Sequence, residues 1–162
     1  MSDTATLTTR FPTLKESEFR DNRRFDVSAD HVFALLTALK LEFHFDMLID
    51  VTAVDFLEYQ GAKDRFGVIY QLLNTATSER LTVRTTVNLP EPQLQSVSSL
   101  WRGADWLERE VFDMFGIRFV GHPDLRRILL PDEFTAHPLR KDYPLKGRGE
   151  RHNFPVLTRA ES

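Results

Sequence analysis

The sequence predicts an α+β fold: a two-layer sandwich with an antiparallel or mixed sheet covered by helices, followed by an extended proline-rich C-terminal arm. Three observations carry that expectation. Three segments alternate apolar and polar residues with period two, two segments place apolar residues at helical spacing, and the residues after 121 gather prolines and positive charge. At 162 residues the chain has the length of one domain, and its 41% hydrophobic content suffices for a core.

Residues 1–20 carry little pattern and are expected to form a loosely attached N-terminal segment. "RRFDVS" reads as a first short strand. Ser28 and Asp30 supply a cap and N-terminal acid for a helix in which Val32, Leu35, Leu36, Leu39 and Phe43 follow helical spacing. Three strands come next. Met47, Ile49, Val51 and Ala53 alternate in the first, Phe66, Val68, Tyr70 and Leu72 in the second. Leu81, Val83, Thr85, Val87 and Leu89 alternate in the third. The links "EYQGAKD" and "NTATSE" are too short for helical crossovers, so these neighbours should run antiparallel.

"LPEPQLQSVSSLW" opens a second helical region, with Pro92 suited to a first turn and Glu91 to the positive end of the dipole. "RGAD" interrupts it. Asp105 is the expected N-cap of a helix that runs to about Phe115 and stops at Gly116, and "IRFVG" is one more short strand. At 100° per residue, Met114, Leu107, Val111, Phe115 and Phe112 share one arc of that helix, and Arg109, Asp113, Trp106 and Glu110 the other. Arg109 and Asp113 are spaced to pair on the surface. Glu108 falls inside the apolar arc and needs a partner, because burying a lone carboxylate costs several kcal/mol. Two readings are open: an ordinary amphipathic helix with one hydrogen-bonded acid near its edge, or a Glu108 that meets an arginine from the 118–162 arm or from another chain.

The charge divides the chain. Up to Ile117 there are 12 basic and 18 acidic residues; from Arg118 onward there are 9 basic and 6 acidic. Five of the eight prolines (Pro123, Pro131, Pro138, Pro144 and Pro155) lie in that second part. The domain organisation expected is therefore a loose segment 1–20, an α+β body 21–121 and a partner-binding arm 122–162. The arm has few hydrophobic anchors and cannot form its own core; it is disordered, laid over the body, or bound along a partner.

Several function classes are excluded or disfavoured. With no cysteine the sequence offers no disulfide, thiolate-held zinc, cysteine-ligated iron–sulfur cluster or cysteine nucleophile. The net charge of −3 suggests neither nucleic acid nor a membrane surface. The basic arm "LRKDYPLKGRGERHNF" mixes arginine with aromatics, but Asp142 and Glu150 interrupt it and no RNA-binding motif is present. The longest apolar run, Val32–Leu36, is far short of a membrane span, and "MSDTATLTTR" lacks the features of a secretory signal, so a soluble, cytoplasmic chain is expected. His122, His137 and His152 lie near Asp124, Asp132 and Glu133, yet no spacing fixes two metal ligands on one element.

The segment from Glu108 to Leu129 resembles the signature of the 30-kDa-type (C) subunit of respiratory complex I, the NADH–quinone oxidoreductase. Glu108, Arg109 and Glu110 open it; Asp113, then Met114 and Phe115, follow; His122 and Arg126 take the later basic positions and Ile128 and Leu129 close it. "GHPDLRRIL" and "HPLRKDYPL" also resemble family text, and the likeness spans roughly residues 25–145. The resemblance implies a non-redox subunit of the peripheral arm of a proton-translocating complex, packed against the 49-kDa-type (D) subunit near the quinone site, with other peripheral-arm subunits around it. It implies no catalytic, cofactor or metal residues in this chain. FMN, iron–sulfur clusters and quinone would belong to other subunits, and the chain would be held peripherally on the cytoplasmic side of a bacterial inner membrane through the complex alone. The alternative is the equivalent subunit of a related membrane-bound hydrogenase or ferredoxin-driven complex. The arm after Gly121 is expected to lie across the partner, with Tyr143, Pro144 and Phe154 as anchors. Arg126, Arg127, Arg140 and Lys141 would then meet the partner's carboxylates.

Overall fold

The computed structural model describes residues 3–20 and 22–149. Along the chain lie α1 (Asp3–Arg10), β1 (Lys15–Phe19), β2 (Asn22–Asp26), α2 (Ala29–Leu41), β3 (Met47–Asp55), β4 (Phe66–Leu73), β5 (Arg80–Val87), β6 (Gln93–Gln95), α3 (Ala104–Phe115) and β7 (Arg118–Val120). Five strands form one sheet in the order β1-β2-β5-β4-β3, and β6 pairs with β7 in a separate two-stranded ribbon.

The three alternating segments are the centre of the sheet. Strands β3, β4 and β5 run antiparallel, with Tyr70 opposite both Val51 and Val83. Strand β2 joins β5 in parallel, so the sheet is mixed. On one face Val51, Ala53, Val68, Tyr70, Leu81 and Val83 are buried, together with Val32, Leu35, Leu36 and Leu39 of α2 and Val111, Met114 and Phe115 of α3. The opposite phase, with Val54, Gln71 and Arg84, is exposed. Helices thus cover a single face, the two-layer arrangement expected.

Several local expectations are corrected. The stretch 1–20 is not loosely attached where it is described: it holds α1 and β1, and Leu7, Phe11 and Leu14 enter the core. Strand β1 gave no signal because all five residues are exposed, so nothing alternates. In β3 the register shifts between Leu48 and Asp50; Leu48 is buried and Met47 exposed, so the apolar phase at its start is reversed. The region after Pro92 is not helical. Gln93–Gln95 runs parallel to β7, and the flanking bonds Arg118 N–H to Pro92 O (2.9 Å) and Ser96 N–H to Val120 O (2.9 Å) engage its backbone. Gly103, not Asp105, is the N-cap of α3, and Asp105 sits in the first turn.

Candidate functional site

Helix α3 contains two acids that are wholly inaccessible to solvent, Glu108 and Asp113. Asp113 lies on the side of the helix expected to face water. The chain after Gly121 covers that side. One oxygen, Oδ2, accepts three successive backbone N–H groups, from Ile128 (3.1 Å), Leu129 (2.8 Å) and Leu130 (2.9 Å). The other, Oδ1, accepts Arg127 Nη1 at 2.5 Å, while Arg127 Nη2 donates to Ala136 O at 3.1 Å. Burial alone would raise the Asp113 carboxyl; the N–H groups of Leu130 and Leu129, with Arg127 and Ile128, outweigh it and hold the group below its ordinary range. A single carboxylate therefore organises a turn that has no regular hydrogen-bonding pattern of its own.

The same segment finishes the helix. Gly116 adopts the left-handed conformation (φ 71°) as C-cap, and its N–H bonds Phe112 O. The last carbonyls of a helix lack partners within it. Here each is taken by the arm: His137 Nδ1–H donates to Asp113 O (2.9 Å), Leu139 N–H to Met114 O (3.1 Å) and Arg140 Nε–H to Phe115 O (2.6 Å). Burial pushes the His137 pKa below the usual histidine value, which suits this neutral donor role. Further along, Lys141 N–H donates to Asp55 Oδ2 at 2.9 Å, and Arg65 Nη2 spans from Asp55 (3.1 Å) to Asp142 (2.8 Å). Burial opposes ionisation of Asp55, but hydrogen bonds from Arg65 and Lys141 prevail and lower its pKa.

Among the described residues Glu108 meets no arginine. Ser96 Oγ donates to Oε2 at 2.6 Å and Val97 N–H to Oε1 at 2.7 Å, so the carboxyl pins the turn that follows β6. Burial is the largest influence and leaves its pKa raised in spite of those bonds. His122 Nε2 lies 3.9 Å from Oε2 but is closer to Asp105 O, at 3.1 Å. Its Nδ1 accepts the Asp124 N–H at 3.0 Å, so Nε2 carries the proton in the neutral ring.

The remaining signature residues fall around this latch. Arg109 does not pair with Asp113; Nε donates to Arg126 O (3.1 Å) and Nη2 to Arg127 O (3.2 Å), and its guanidinium lies 5.1 Å from the Trp106 ring centre. Arg126 is exposed and chelates Asp124, both Nε–O distances being 2.9 Å. Glu110 and the Lys141 side chain face outward. Tyr143 is half-buried with its ring 5.9 Å from that of Phe134, Pro144 is exposed, and Phe154 lies outside the described residues. The structure therefore spends Arg127, Arg140 Nε and the Lys141 backbone within the chain, where sequence reasoning assigned those residues to a partner. Ser96, Val97, Arg65, Asp55 and Gly116 were not anticipated as part of the site. Two of these left a trace: Gly116 as the helix stop, and Asp55 as an acid in the buried phase of the β3 alternation.

Among the described residues no group of three or more histidines, aspartates or glutamates is arranged to hold a metal ion. The arrangement is mechanical: carboxylates and arginines fix an irregular backbone to a helix.

The fold is shared with solved structures. The trypsin-resistant fragment (1–134) of Nqo5 is 30% identical, with a TM-score of 0.69, covering 76% of this chain and 98% of that one. A chain of an archaeal respiratory membrane complex, the membrane-bound sulfane sulfur reductase, has a TM-score of 0.76 over 98% of this chain and 92% of its own; at 23% identity it shows the fold alone. The class is thus the Nqo5-type α+β domain.

Residues 25–149 match the family described as "Respiratory-chain NADH dehydrogenase, 30 Kd subunit", and the chain belongs to that family. The NADH-quinone oxidoreductase (C) subunit of Trichlorobacter lovleyi is 50% identical over 123 residues, 76% of this chain and 75% of the relative. Its namesake in Moorella thermoacetica is 41% identical over 139 residues, covering 86% and 91%. NADH dehydrogenase (ubiquinone) iron-sulfur protein 3 of Beta trigyna is 48% identical over 126 residues, covering 76% and 64%.

Proposed function

We propose that this chain is a non-redox structural subunit in the peripheral arm of a proton-translocating NADH–quinone oxidoreductase. In this reading the body is a platform, and the outer side of residues 122–149 docks on the 49-kDa-type protein beside the quinone site. One observation carries it. The inner side of this segment is fastened to α3 through its backbone, while Leu129, Leu139 and Leu145 are turned outward, Leu129 with 61% and Leu139 with 52% of its surface exposed. Apolar side chains on a fixed backbone suit a protein interface, since little ordering entropy is left to lose on binding.

Other features agree. The Beta trigyna relative is named an iron–sulfur protein, but this sequence contains no cysteine to ligate a cluster. Among the described residues no helix is long and apolar enough to cross a membrane, so attachment through neighbouring subunits on the cytoplasmic side fits the reading. The likeness to the archaeal complex concerns fold alone and does not favour the hydrogenase-type alternative.

The test is recovery of the tagged full chain from detergent-solubilised membranes, with the attached proteins identified. Wild type should bring down the NADH-binding and 49-kDa-type subunits, and Leu129→Asp/Leu139→Asp should reduce that recovery by about tenfold or more, on the order of what a desolvated interface anchor contributes. Unchanged recovery by the double variant would refute the docking face. A hydrogenase large subunit among the recovered proteins would select the alternative.

A further inference from the structure

Among the described residues Arg140 has no carboxylate in contact, and Asp142 and Asp55 act on it only from a distance. Its Nε is bonded to Phe115 O, and its guanidinium lies 5.4 Å from the centre of the Phe66 ring, which Arg65 also approaches at 5.0 Å. Arg65 has two acids in contact, Asp55 and Asp142. No acid lies within 4 Å of Arg140 among the described residues, and its Nη1 and Nη2 have no hydrogen-bond acceptor there. Arg140 borders an open cleft of about 480 Å³ lined also by Thr135, His137, Asp142, Tyr143, Arg148 and Gly149. Arg148 adds a second cation to the cleft, its guanidinium 5.5 Å from the Tyr143 ring centre. Among the described residues Asp142 is the cleft's one acid, and Arg65 already holds it.

We propose that this cleft receives the carboxylate of an acidic side chain from a neighbouring protein chain, with Arg140 as its counter-ion. A partly buried guanidinium that shares an aromatic ring with another cation carries a desolvation cost, and an incoming carboxylate offsets it. A carboxylate fits the free edge of Arg140, and the phosphate arm of the titration separates it from a phosphate. His137 uses Nδ1–H on Asp113 O, and as a neutral ring it presents only an acceptor nitrogen elsewhere. On Arg140 the planar pair Nη1 and Nη2 matches the two oxygens of one carboxylate, and the Arg148 guanidinium lines the same cleft. The inference rests on the docking reading above and narrows it: Arg140 is assigned to the partner, whereas Arg126 and Arg127 are neutralised by Asp124 and Asp113.

Two measurements test it. In recovery from membranes, Arg140→Gln should lower the yield of attached subunits by about tenfold or more, while Arg80→Gln, at the exposed start of β5, leaves it unchanged. In the purified full chain, NMR titration with sodium glutarate should shift the Arg140 Nε–H and Gly149 amide signals saturably, while chloride at matched ionic strength does not. Wild-type yield from Arg140→Gln overturns the proposal. Should wild type itself recover no partner, the docking reading fails, and the titration alone decides the cleft. If the isolated Arg140→Gln chain melts lower than wild type, the decision passes to the wild-type titration, where a chloride-like response overturns the proposal. A response equal with inorganic phosphate overturns the carboxylate assignment.

Discussion

Asp113 and Glu108 are both buried and both acidic, yet their surroundings drive them in opposite directions. Asp113 receives three backbone N–H groups and the charged Arg127, and its pKa is lowered. Glu108 has two donors and no arginine, and its pKa is raised by burial. Linkage gives each a sign. The stability that Asp113 supplies is present above its unfolded pKa near 3.8 and is lost as pH falls through the folded value. Glu108 behaves oppositely: its contribution is complete below about 4.5 and declines as pH rises through its folded pKa. Glu108→Gln keeps an acceptor for Val97 N–H and removes the ionisation. Melting curves should therefore show the variant gaining on wild type from pH 4.5 toward neutrality. A gap that moves the other way would mean that Glu108 is stabilised as the anion.

At the level of elements, α3 and the following segment form one unit, because the helix has no other partners for its last carbonyls. Gly116 is one place where they approach closely. A Cβ there would lie 2.5 Å from Arg140 Nη2 and from His137 Nε2, in a backbone conformation that side chains resist. Gly116→Ala is expected to cost about 1–3 kcal/mol and to expose residues 122–149 to limited proteolysis before the sheet is cut. Sheet and arm cleaved together, or no change in either, would show that Gly116 is not the contact holding the segment down.

This level also shows what the sequence could convey. Strands β4 and β5 and helix α2 were legible because one face is apolar and the other polar. Strand β1 is polar throughout its first four residues and exposed along its whole length, and β6 is three residues long and depends on a strand more than twenty residues away, so neither has a local pattern. The wheel of α3 was right about the apolar arc and about the oddity of Glu108. It could not reveal that the polar arc is covered. Asp113 reads as solvent-facing until the backbone of Ile128–Leu130 is seen above it, and the partners of Glu108, eleven and twelve residues back in a turn, carry no spacing rule.

For the molecule as a whole, most of the residues between Glu108 and Leu129 that resemble the 30-kDa-type signature lie in an internal latch, while Glu110 and Arg126 face outward. Glu108 sets the turn before the helix, Asp113 the turn after it, Arg109 and Arg127 bridge helix to arm, and Ile128 and Leu129 supply N–H groups that are held. In the proposed docking, a chain built this way would meet its partners with the arm already shaped. That economy of ordering, together with outward leucines and the cleft at Arg140, is the physical basis for reading it as a docking module. The most direct test is amide hydrogen exchange at Ile128, Leu129 and Leu130 in the isolated full chain, wild type against Asp113→Asn. The account predicts wild-type exchange slowed by about two orders of magnitude or more relative to an unstructured chain, with most of that protection gone in the variant while the sheet amides keep theirs. Unstructured-chain rates at these three amides in wild type, or equal protection in both proteins, would contradict it.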